Sequence, residues 1–433
     1  MKRLLSVLLA LMLCAVGCAA PDVPDSAKAV PVEPIDLTLC IYPVGAWGNS
    51  STVAALLNDF RRDHPEINLH IQYVKYDNGD ALIEEAIANG TAPDLVLEGP
   101  ERLVANWGAR GLMADLSDLM DSPEAREIDE NTRNACCSAD GKYYAFPLCM
   151  TPHCMAVNYD LFRASGAAQY LDEETRTWTT EGFVQAVNAL YAYGQTEIAA
   201  VYCNGQGGDQ GTRALVNNLY GGSFTDPQHT CYTFHSAENI QALTLLRSLP
   251  GIRFDPTLAG GDEITQFCSG KLAMAFCWNV AIEIQQVIGN PELTFEVLPM
   301  AFPTSTGAPR LQDGIWGFGI FDNGDPQRLA AAKEFIRYMT TDDRQYRRAV
   351  LASTYWPVRP VKDIYINDEL MEEYSVLMPY VGDYYQITPG WSGARTAWWE
   401  MLQSIAGGAD PAAAAQKFDA TANAAAVSSA PHG

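Results

Sequence analysis

The sequence predicts an α/β protein with two lobes, each a mostly parallel sheet flanked by helices, joined by a hinge that the chain crosses several times. Three observations lead to this fold class. Strand-like runs alternate with helical runs, which is typical of parallel α/β packing. Poorly periodic stretches interrupt this pattern near residues 150, 300 and 356. The length of 433 residues also allows two or three domains.

The N-terminus has the order of an export signal followed by a lipid attachment site. A basic start precedes an apolar run over residues 4–16, which is shorter than the roughly 20 residues of a membrane-spanning helix. Residues 15–18 resemble the bacterial lipobox, whose cysteine, here Cys18, carries the lipid. We predict a signal peptide over residues 1–17 and a Pro-rich flexible tether over 18–35. A plain signal peptide without lipid and a membrane span are the competing interpretations.

The charge of the chain disfavours two kinds of partner. There are 52 acidic and 28 basic residues, and the formal charge of −24 becomes −26 once Lys2 and Arg3 leave with the signal. An acidic protein of this kind is not expected to bind nucleic acid or anionic lipid headgroups. Beyond the signal no run of 18 apolar residues occurs, so the sequence predicts a soluble body that only the lipid holds on the membrane.

The cysteines and histidines predict neither a metal site nor a complete disulfide set. Of 11 Cys, Cys14 leaves with the signal and Cys18 takes the lipid, so nine remain. An odd number cannot pair completely within one chain. No Cys or His residues stand at the spacing of a zinc site, and we predict no metal and no cofactor.

The first lobe is assigned to residues 36–149 and 301–354. Apolar residues at three- and four-residue spacing predict its helices, and alternation predicts its strands. The predicted elements are strand 37–42, helix 51–62, strand 68–74, helix 81–89, strand 94–97, strand 315–321 and helix 327–339.

The second lobe is assigned to residues 155–298 and 357–430. Its predicted elements are helices 180–193, 211–219 and 238–249 and a mostly helical tail over 371–427. The hinge crossings are placed near residues 150–154, 299–300 and 355–356. A single large α/β domain is the competing interpretation.

Four segments resemble motifs of one family, in that family's order. They are FRRDHPEI at 60–67, GTAPDLV at 90–96, DGKYYAFP at 140–147 and FCSGKLAM at 267–274. With smaller matches they cover nearly all of residues 36–420. The chain therefore resembles the extracellular solute-binding proteins of ABC transporters, in the group that includes maltose-binding and other sugar-binding members.

This resemblance implies a type II periplasmic-binding-protein fold, in which two lobes close on a ligand held between them. It implies capture of a small polar solute, here a mono- or oligosaccharide, and delivery to the permease subunits of an ABC transporter. The expected state is an extracytoplasmic, lipid-anchored monomer without a cofactor.

A sugar site needs aromatic rings for the C–H faces of the sugar and carboxylates or amides for its hydroxyls. By the resemblance, the cleft receives Trp47, Glu98, Glu101, Arg102, Thr151, Trp278 and Trp391. Strand ends and breaks in the pattern add Tyr202, Asn204, Trp316 and Tyr355. Thr151 stands where some sugar-binding relatives carry Glu, so the identity of the sugar stays open.

We do not predict an enzyme, because the sequence contains no H-E-x-x-H, phosphate-loop or G-x-S-x-G motif. Glu98 and Glu101 could form an acid–base pair for glycoside cleavage, which keeps a secreted carbohydrate-active enzyme compatible with the sequence. The sequence is also compatible with a binding protein of the same class for a polyamine or another non-sugar solute, and with a surface lectin.

Overall fold

The computed structural model of the chain describes residues 34–76, 78–205 and 207–429. The predicted signal peptide, the lipidation at Cys18 and the predicted tether up to residue 33 lie outside the described residues. Among the helices of the described ranges, none combines the length and the apolar character that crossing a membrane requires.

Ten strands and sixteen α-helices form within the described residues. The strands are β1 (Ile35–Ile41), β2 (Ile67–Tyr73), β3 (Leu95–Glu98), β4 (Phe146–Asn158), β5 (Ala199–Tyr202), β6 (Ile252–Asp255), β7 (Met274–Trp278), β8 (Val297–Met300), β9 (Gln312–Ile320) and β10 (Trp356–Pro357). The helices are α1 (Ser50–Asp63), α2 (Gly79–Ala88), α3 (Pro100–Arg102), α4 (Ser117–Met120), α5 (Glu130–Ala135), α6 (Tyr159–Ser165), α7 (Thr180–Tyr193), α8 (Gln210–Tyr220), α9 (Ala237–Ser248), α10 (Gly260–Cys268), α11 (Val280–Gly289), α12 (Pro326–Thr340), α13 (Asp343–Ser353), α14 (Glu369–Ser375), α15 (Trp391–Ala406) and α16 (Pro411–Ser429). These bounds confirm the strands and helices that the periodicity predicts.

The main sheet has the strand order β10-β4-β9-β3-β1-β2, and β7 and β8 also pair with β4. Strand β1 runs parallel to β2 and β3, whereas β9 runs antiparallel to both β3 and β4. A separate parallel pair, β5 and β6, belongs to the second lobe. The predicted α/β class is confirmed, but the main sheet is mixed rather than mostly parallel. The reason is that β9 and β10 return along β4 in the opposite direction.

Strand β4 connects the two lobes and is buried at all thirteen positions. Its first part, from Phe146 to His153, pairs with β9, and its last part, from Cys154 to Asn158, pairs with β7 and β8. From the sequence alone this stretch is predicted to be a break, because a strand buried on both faces shows no alternation. The first hinge crossing therefore takes place inside a continuous strand.

The second crossing lies later than the predicted residues 299–300. Asn218 of α8 accepts a hydrogen bond from the Arg310 backbone N–H at 2.7 Å, and the Thr180 N–H donates to Thr304 O at 3.2 Å. Residues 301–311 therefore stay with the second lobe. The hydrogen bonds to α7 and α8 fix residues 301–311, so the chain reaches the first lobe only where β9 begins at Gln312.

The third crossing also lies later than predicted. Strand β10 pairs with β4 beside Cys149 and Met150, and the Arg359 guanidinium donates to Thr340 O at 3.1 Å. Tyr365 then donates its hydroxyl to Tyr355 O at 2.6 Å. The chain thus stays on the first lobe past residue 357 and enters the second lobe with α14.

A buried triad holds α14 against the second lobe. The Trp278 indole N–H donates to Tyr374 Oη at 2.8 Å and to Glu283 Oε2 at 3.1 Å, and Tyr374 donates to the same carboxylate oxygen. Trp278 and Tyr374 are fully buried. Removing a donor from such a network leaves a buried acceptor unsatisfied, which costs more than an ordinary hydrogen bond contributes.

We therefore expect Trp278→Phe to lower the free energy of unfolding by about 1–3 kcal/mol, since the ring is kept but the N–H is lost. Urea unfolding followed by circular dichroism measures this change. The control is Trp399→Phe, because the buried Trp399 N–H has no hydrogen-bond partner among the described residues. A loss as large in Trp399→Phe as in Trp278→Phe would contradict the role of the triad.

Candidate functional site

A cavity of about 640 Å³ lies between the two lobes. The first lobe contributes the loop after β1, the end of β3, helix α3 and the start of β9. The second lobe contributes the loop before α8, the end of β7, helix α11 and one residue of α15. A concave site at a boundary between lobes is where small-molecule ligands most often bind.

Five of the residues predicted for the site line this cavity. They are Glu98, Glu101, Arg102, Trp316 and Tyr355. The local fold positions the three charged residues. Glu98 ends β3, a Gly-Pro turn starts α3, and Arg102 lies one helical turn after Glu98. A π-helical turn at Leu103–Gly108 comes directly after them, a feature that is frequent at functional sites.

The remaining six predicted residues do not line the cavity, and their predicted placement is corrected by the structure. Trp47 is fully buried, and its indole N–H donates to Ala349 O at 2.9 Å. The loop after β1 instead lines the cavity through the neighbours of Trp47, namely Ala46 and Gly48. The indole points into the core of the first lobe because helix α13 supplies the acceptor.

The tryptophans predicted on the second lobe are also core residues. Trp278 belongs to the buried triad, and its neighbours Cys277 and Asn279 line the cavity instead. Trp391 is 2% exposed, and the Arg213 guanidinium carbon lies over the indole ring, 4.9 Å from the ring centroid. One helical turn later, Arg395 lines the cavity.

Three polar predictions are placed elsewhere too. Thr151 is fully buried in β4, where it pairs with Gly314 of β9. Tyr202 is 2% exposed and donates its hydroxyl to Gly208 O. Asn204 is exposed outside the cavity.

Sequence reasoning missed several residues that line the cavity. They are Tyr76, His153, Gln210, Asn279, Gln285, Asp313, Tyr384, Gln386 and Arg395. Asp313 and Asn279 stand within three residues of a predicted tryptophan, so the segments were identified but the wrong side chains were chosen. Tyr384 and Gln386 lie in the tail that is predicted to be mostly helical, at a 3₁₀ turn over Tyr385–Ile387, and no pattern marked them as site residues.

One guanidinium organises the carboxylates on the first-lobe wall. Arg102 donates to Glu98 Oε1 and to Asp80 Oδ1, each at 2.6 Å, and lies 3.5 Å from Glu101 Oε1. Tyr384 donates its hydroxyl to Glu101 Oε2 at 2.6 Å. Arg102 is 7% exposed, so these bonds are made largely away from water, where charge-assisted hydrogen bonds are strong.

Glu98 is the most constrained of these carboxylates. It is fully buried, and its Oε2 atom has no hydrogen-bond partner among the described residues. Burial raises the pKa of Glu98 above its usual range, and Arg102 opposes that shift while Glu101 and Asp80 add to it. The buried carboxyl is therefore held by Arg102 through one oxygen only.

Asp313 and His153 have shifted pKa values in the same cavity. Asp313 is 4% exposed, and burial raises its pKa to about 8. Burial, together with the smaller effect of the Arg213 charge, lowers the pKa of His153 to about 4 against the opposing charge of Asp209. The amide nitrogens of Gln210 and Asn279 both lie 3.4 Å from His153 Nδ1. The lowered pKa leaves the imidazole neutral at pH 7.

A pair of rings forms an apolar surface in the cavity. Trp316 and Tyr355 stack with centroids 4.6 Å apart and an interplanar angle of 12°. A Cβ atom on Gly314 would lie 2.1 Å from the Trp316 ring, so the indole fits over β9 only because residue 314 is a glycine. No group of His, Cys, Asp or Glu suited to hold a metal ion occurs among the residues that the structure describes.

The sequence matches a known family over most of its length. A family model described as bacterial extracellular solute-binding protein matches residues 55–363. The search of curated proteins found no match.

Several solved structures have the same fold. A solute-binding protein from Thermotoga lettingae bound with α-D-tagatose has a TM-score of 0.70 at 16% identity, over 90% of this chain and 99% of its own. A substrate-binding protein from Listeria monocytogenes in complex with cycloalternan has a TM-score of 0.69 at 16% identity, over 90% and 98%. A solute-binding protein from Agrobacterium radiobacter in complex with ribitol has a TM-score of 0.69 at 21% identity, over 91% and 100%. These similarities confirm the fold that the sequence resemblance implies.

The raised pKa of Asp313 predicts how the stability of the protein changes with pH. Because the folded state holds a proton that the unfolded state releases near pH 4, this group makes the protein less stable as the pH rises from about 4 to 8. Asp313→Asn cannot ionise. Between pH 5 and pH 8, we expect the unfolding free energy of the variant to fall less steeply than that of the unmodified protein. The two slopes should differ by up to about 1.4 kcal/mol per pH unit.

Urea unfolding at several pH values measures this slope. Glu174→Gln is the control, since Glu174 is an exposed carboxyl outside the cavity, and it should keep the slope of the unmodified protein. Parallel pH profiles for Asp313→Asn and the unmodified protein would show that Asp313 is not protonated in the fold.

Proposed function

Because the chain belongs to the bacterial extracellular solute-binding proteins, we propose that it binds a mono- or oligosaccharide in the cavity between its lobes and delivers it to the permease of an ABC transporter. The family consists of binding proteins that act outside the cytoplasm. Binding needs no cofactor. We propose no catalytic role for Glu98 or Glu101.

The observation that carries this proposal is the composition of the cavity wall. Stacked Trp316 and Tyr355 offer a flat apolar surface in the same cavity as the buried carboxyl groups of Glu98 and Asp313. The second lobe adds amides such as Asn279. C–H faces of a sugar pack on rings, and its hydroxyls bond to carboxylates and amides, so this mixture suits a polyhydroxylated ligand.

The ligands of the similar structures support the same chemistry. Tagatose, cycloalternan and ribitol are all polyhydroxylated compounds, and each was bound to a protein with this fold. At 16–21% identity these ligands support only a chemical class and do not name the sugar.

Delivery requires a change that the permease can recognise. We propose that the sugar binds the first-lobe wall and that the second lobe then closes over it by bending at the crossings. We further propose that residues 1–17 direct export, that Cys18 carries a lipid and that residues 18–35 tether a monomeric body to the membrane.

A thermal-shift screen over sugars, followed by calorimetry, tests the proposal. For the sugar that binds, we expect Trp316→Leu to weaken affinity by about tenfold or more, which is about 1.4 kcal/mol, because the ring surface is removed. Trp316→Phe keeps a ring and should lose less.

The matched control is Tyr193→Leu, because Tyr193 is 58% exposed on α7 and lies outside the cavity. Its affinity should equal that of the unmodified protein. Equal affinity in folded Trp316→Leu, or the absence of binding by any sugar in the screen, would contradict the proposed function.

A further inference from the structure

Helix α11 carries an apolar stripe that begins inside the cavity and continues beyond it. Its first half lines the cavity through Ala281, Ile282, Ile284 and Gln285. Residues at positions i, i+3, i+4 and i+7 lie on one side of a helix. In α11 one such set consists of Ala281, Ile284, Gln285 and Ile288. Three of these four residues are aliphatic, and the last of them, Ile288, lies one helical turn beyond the cavity lining.

The outer end of this stripe is open to water. Ile288 is 82% exposed, the largest exposed fraction among the large apolar side chains of the described residues. The buried residues of α11 are Val280 and Glu283, and Val287 continues their side of the helix yet is 63% exposed. The last turn of α11 therefore extends beyond the body of the second lobe, and Ile288 contributes little to the core.

The first lobe brings a second apolar segment to the same cavity. The loop after β1 lines the cavity through Pro43, Gly45, Ala46 and Gly48. The large side chain of this loop, Trp47, is buried in the core, and a Cβ atom on Gly45 would lie 1.8 Å from Ser353 O. Asn49, which follows in the lining, uses its side-chain oxygen to cap α1. The loop therefore presents mainly backbone and small apolar groups to the ligand space.

Most of the hydrogen-bonding groups of the cavity come from other elements. They include Glu101, Gln210, Asp313, Tyr384 and Gln386. The cavity thus combines a polar part with an apolar part that α11 and the loop after β1 supply. A sugar ring suits the polar part, but hydroxyls placed against aliphatic groups lose the hydrogen bonds that they make to water.

We propose that the cargo of this cavity is a glycoside whose apolar substituent, an aryl or alkyl group, packs on Ala281, Ile284 and Ile288 of α11. This inference rests on the proposed function and narrows its substrate class. The stripe starts in the ligand space and leads out of it along one side of the helix, which favours a group joined to the sugar over a separate partner. Burial of about two methylene groups is enough to raise affinity about tenfold.

Calorimetry of the full chain against matched ligands tests the inference. Glucose, galactose, mannose and xylose are compared with their methyl, hexyl and phenyl glycosides in both anomeric forms. Cellobiose, maltose and lactose are included because they extend the first ring by a polar group. We expect the best hexyl or phenyl glycoside to bind at least about tenfold more tightly than the matching methyl glycoside and the disaccharides. Its heat-capacity change on binding should also be more negative, because apolar surface is buried.

Variants locate the effect on α11. Ile288→Ser should lower the affinity ratio between the apolar glycoside and its methyl counterpart by about threefold or more, because the aliphatic side chain is lost. The matched control is Val287→Ser, since Val287 is also exposed in the last turn but lies about 100° around the helix from Ile288. This control should keep the ratio of the unmodified protein. Both positions are exposed, and circular dichroism checks that both variants are folded.

The possible outcomes separate this inference from the proposed function. Equal or tighter binding of the methyl glycoside or of a disaccharide overturns the inference and leaves the proposed function standing. An unchanged ratio in Ile288→Ser does the same, as does an equal loss of affinity for every ligand, which would show that Ile288 contacts the first lobe on closure. Binding of phenol or hexanol with no sugar or glycoside overturns both. Binding of no compound overturns the proposed function and this inference with it.

Discussion

The shared strand β4 is the constraint on which the rest of the structure depends. A strand buried at every position must find partners for its backbone groups on both edges, and β4 finds them in different lobes along its length. His153 and Cys154 stand at the change of partner. Since the strand cannot be interrupted there without leaving buried backbone groups unpaired, the distance between the lobes is fixed at this point, and the cavity opens directly beside it.

The register of β4 with β9 then decides which side chains reach the cavity. Pro152 pairs with Asp313, and Thr151 pairs with Gly314. This pairing brings the buried Asp313 carboxyl to the wall and leaves room above Gly314 for the Trp316 ring. Stacking on Tyr355, which follows α13, fixes the other face of that ring. A carboxyl group and an apolar surface therefore stand side by side because two strands meet in one register.

The elements with a clear period could be predicted from the sequence, and those buried on every side could not. Helix α12 was predicted from its periodic apolar face, whereas β4 shows no period because both of its faces are covered. In the site, Glu98 could be predicted from the family resemblance, which brings the loop after a short buried strand to the cleft. The resemblance also pointed to Trp278, whereas its neighbour Asn279 lines the cavity, because a shared motif does not show which side chain at a strand end turns inward. A contact between distant segments, such as the hydrogen bond from Tyr384 to Glu101, leaves no pattern in the sequence around either residue.

The groups on both walls of the cavity are held in place by contacts within the protein. On the first lobe, Arg102 fixes Glu98 through a bond of 2.6 Å, and stacking fixes Trp316, so these groups lose little freedom when a ligand arrives. On the second lobe, Asp209 holds the Arg395 guanidinium through hydrogen bonds of 2.7 and 3.0 Å, so this wall is fixed in the same way. Side chains that are ordered during folding pay little further entropy when a ligand binds, and this favours affinity.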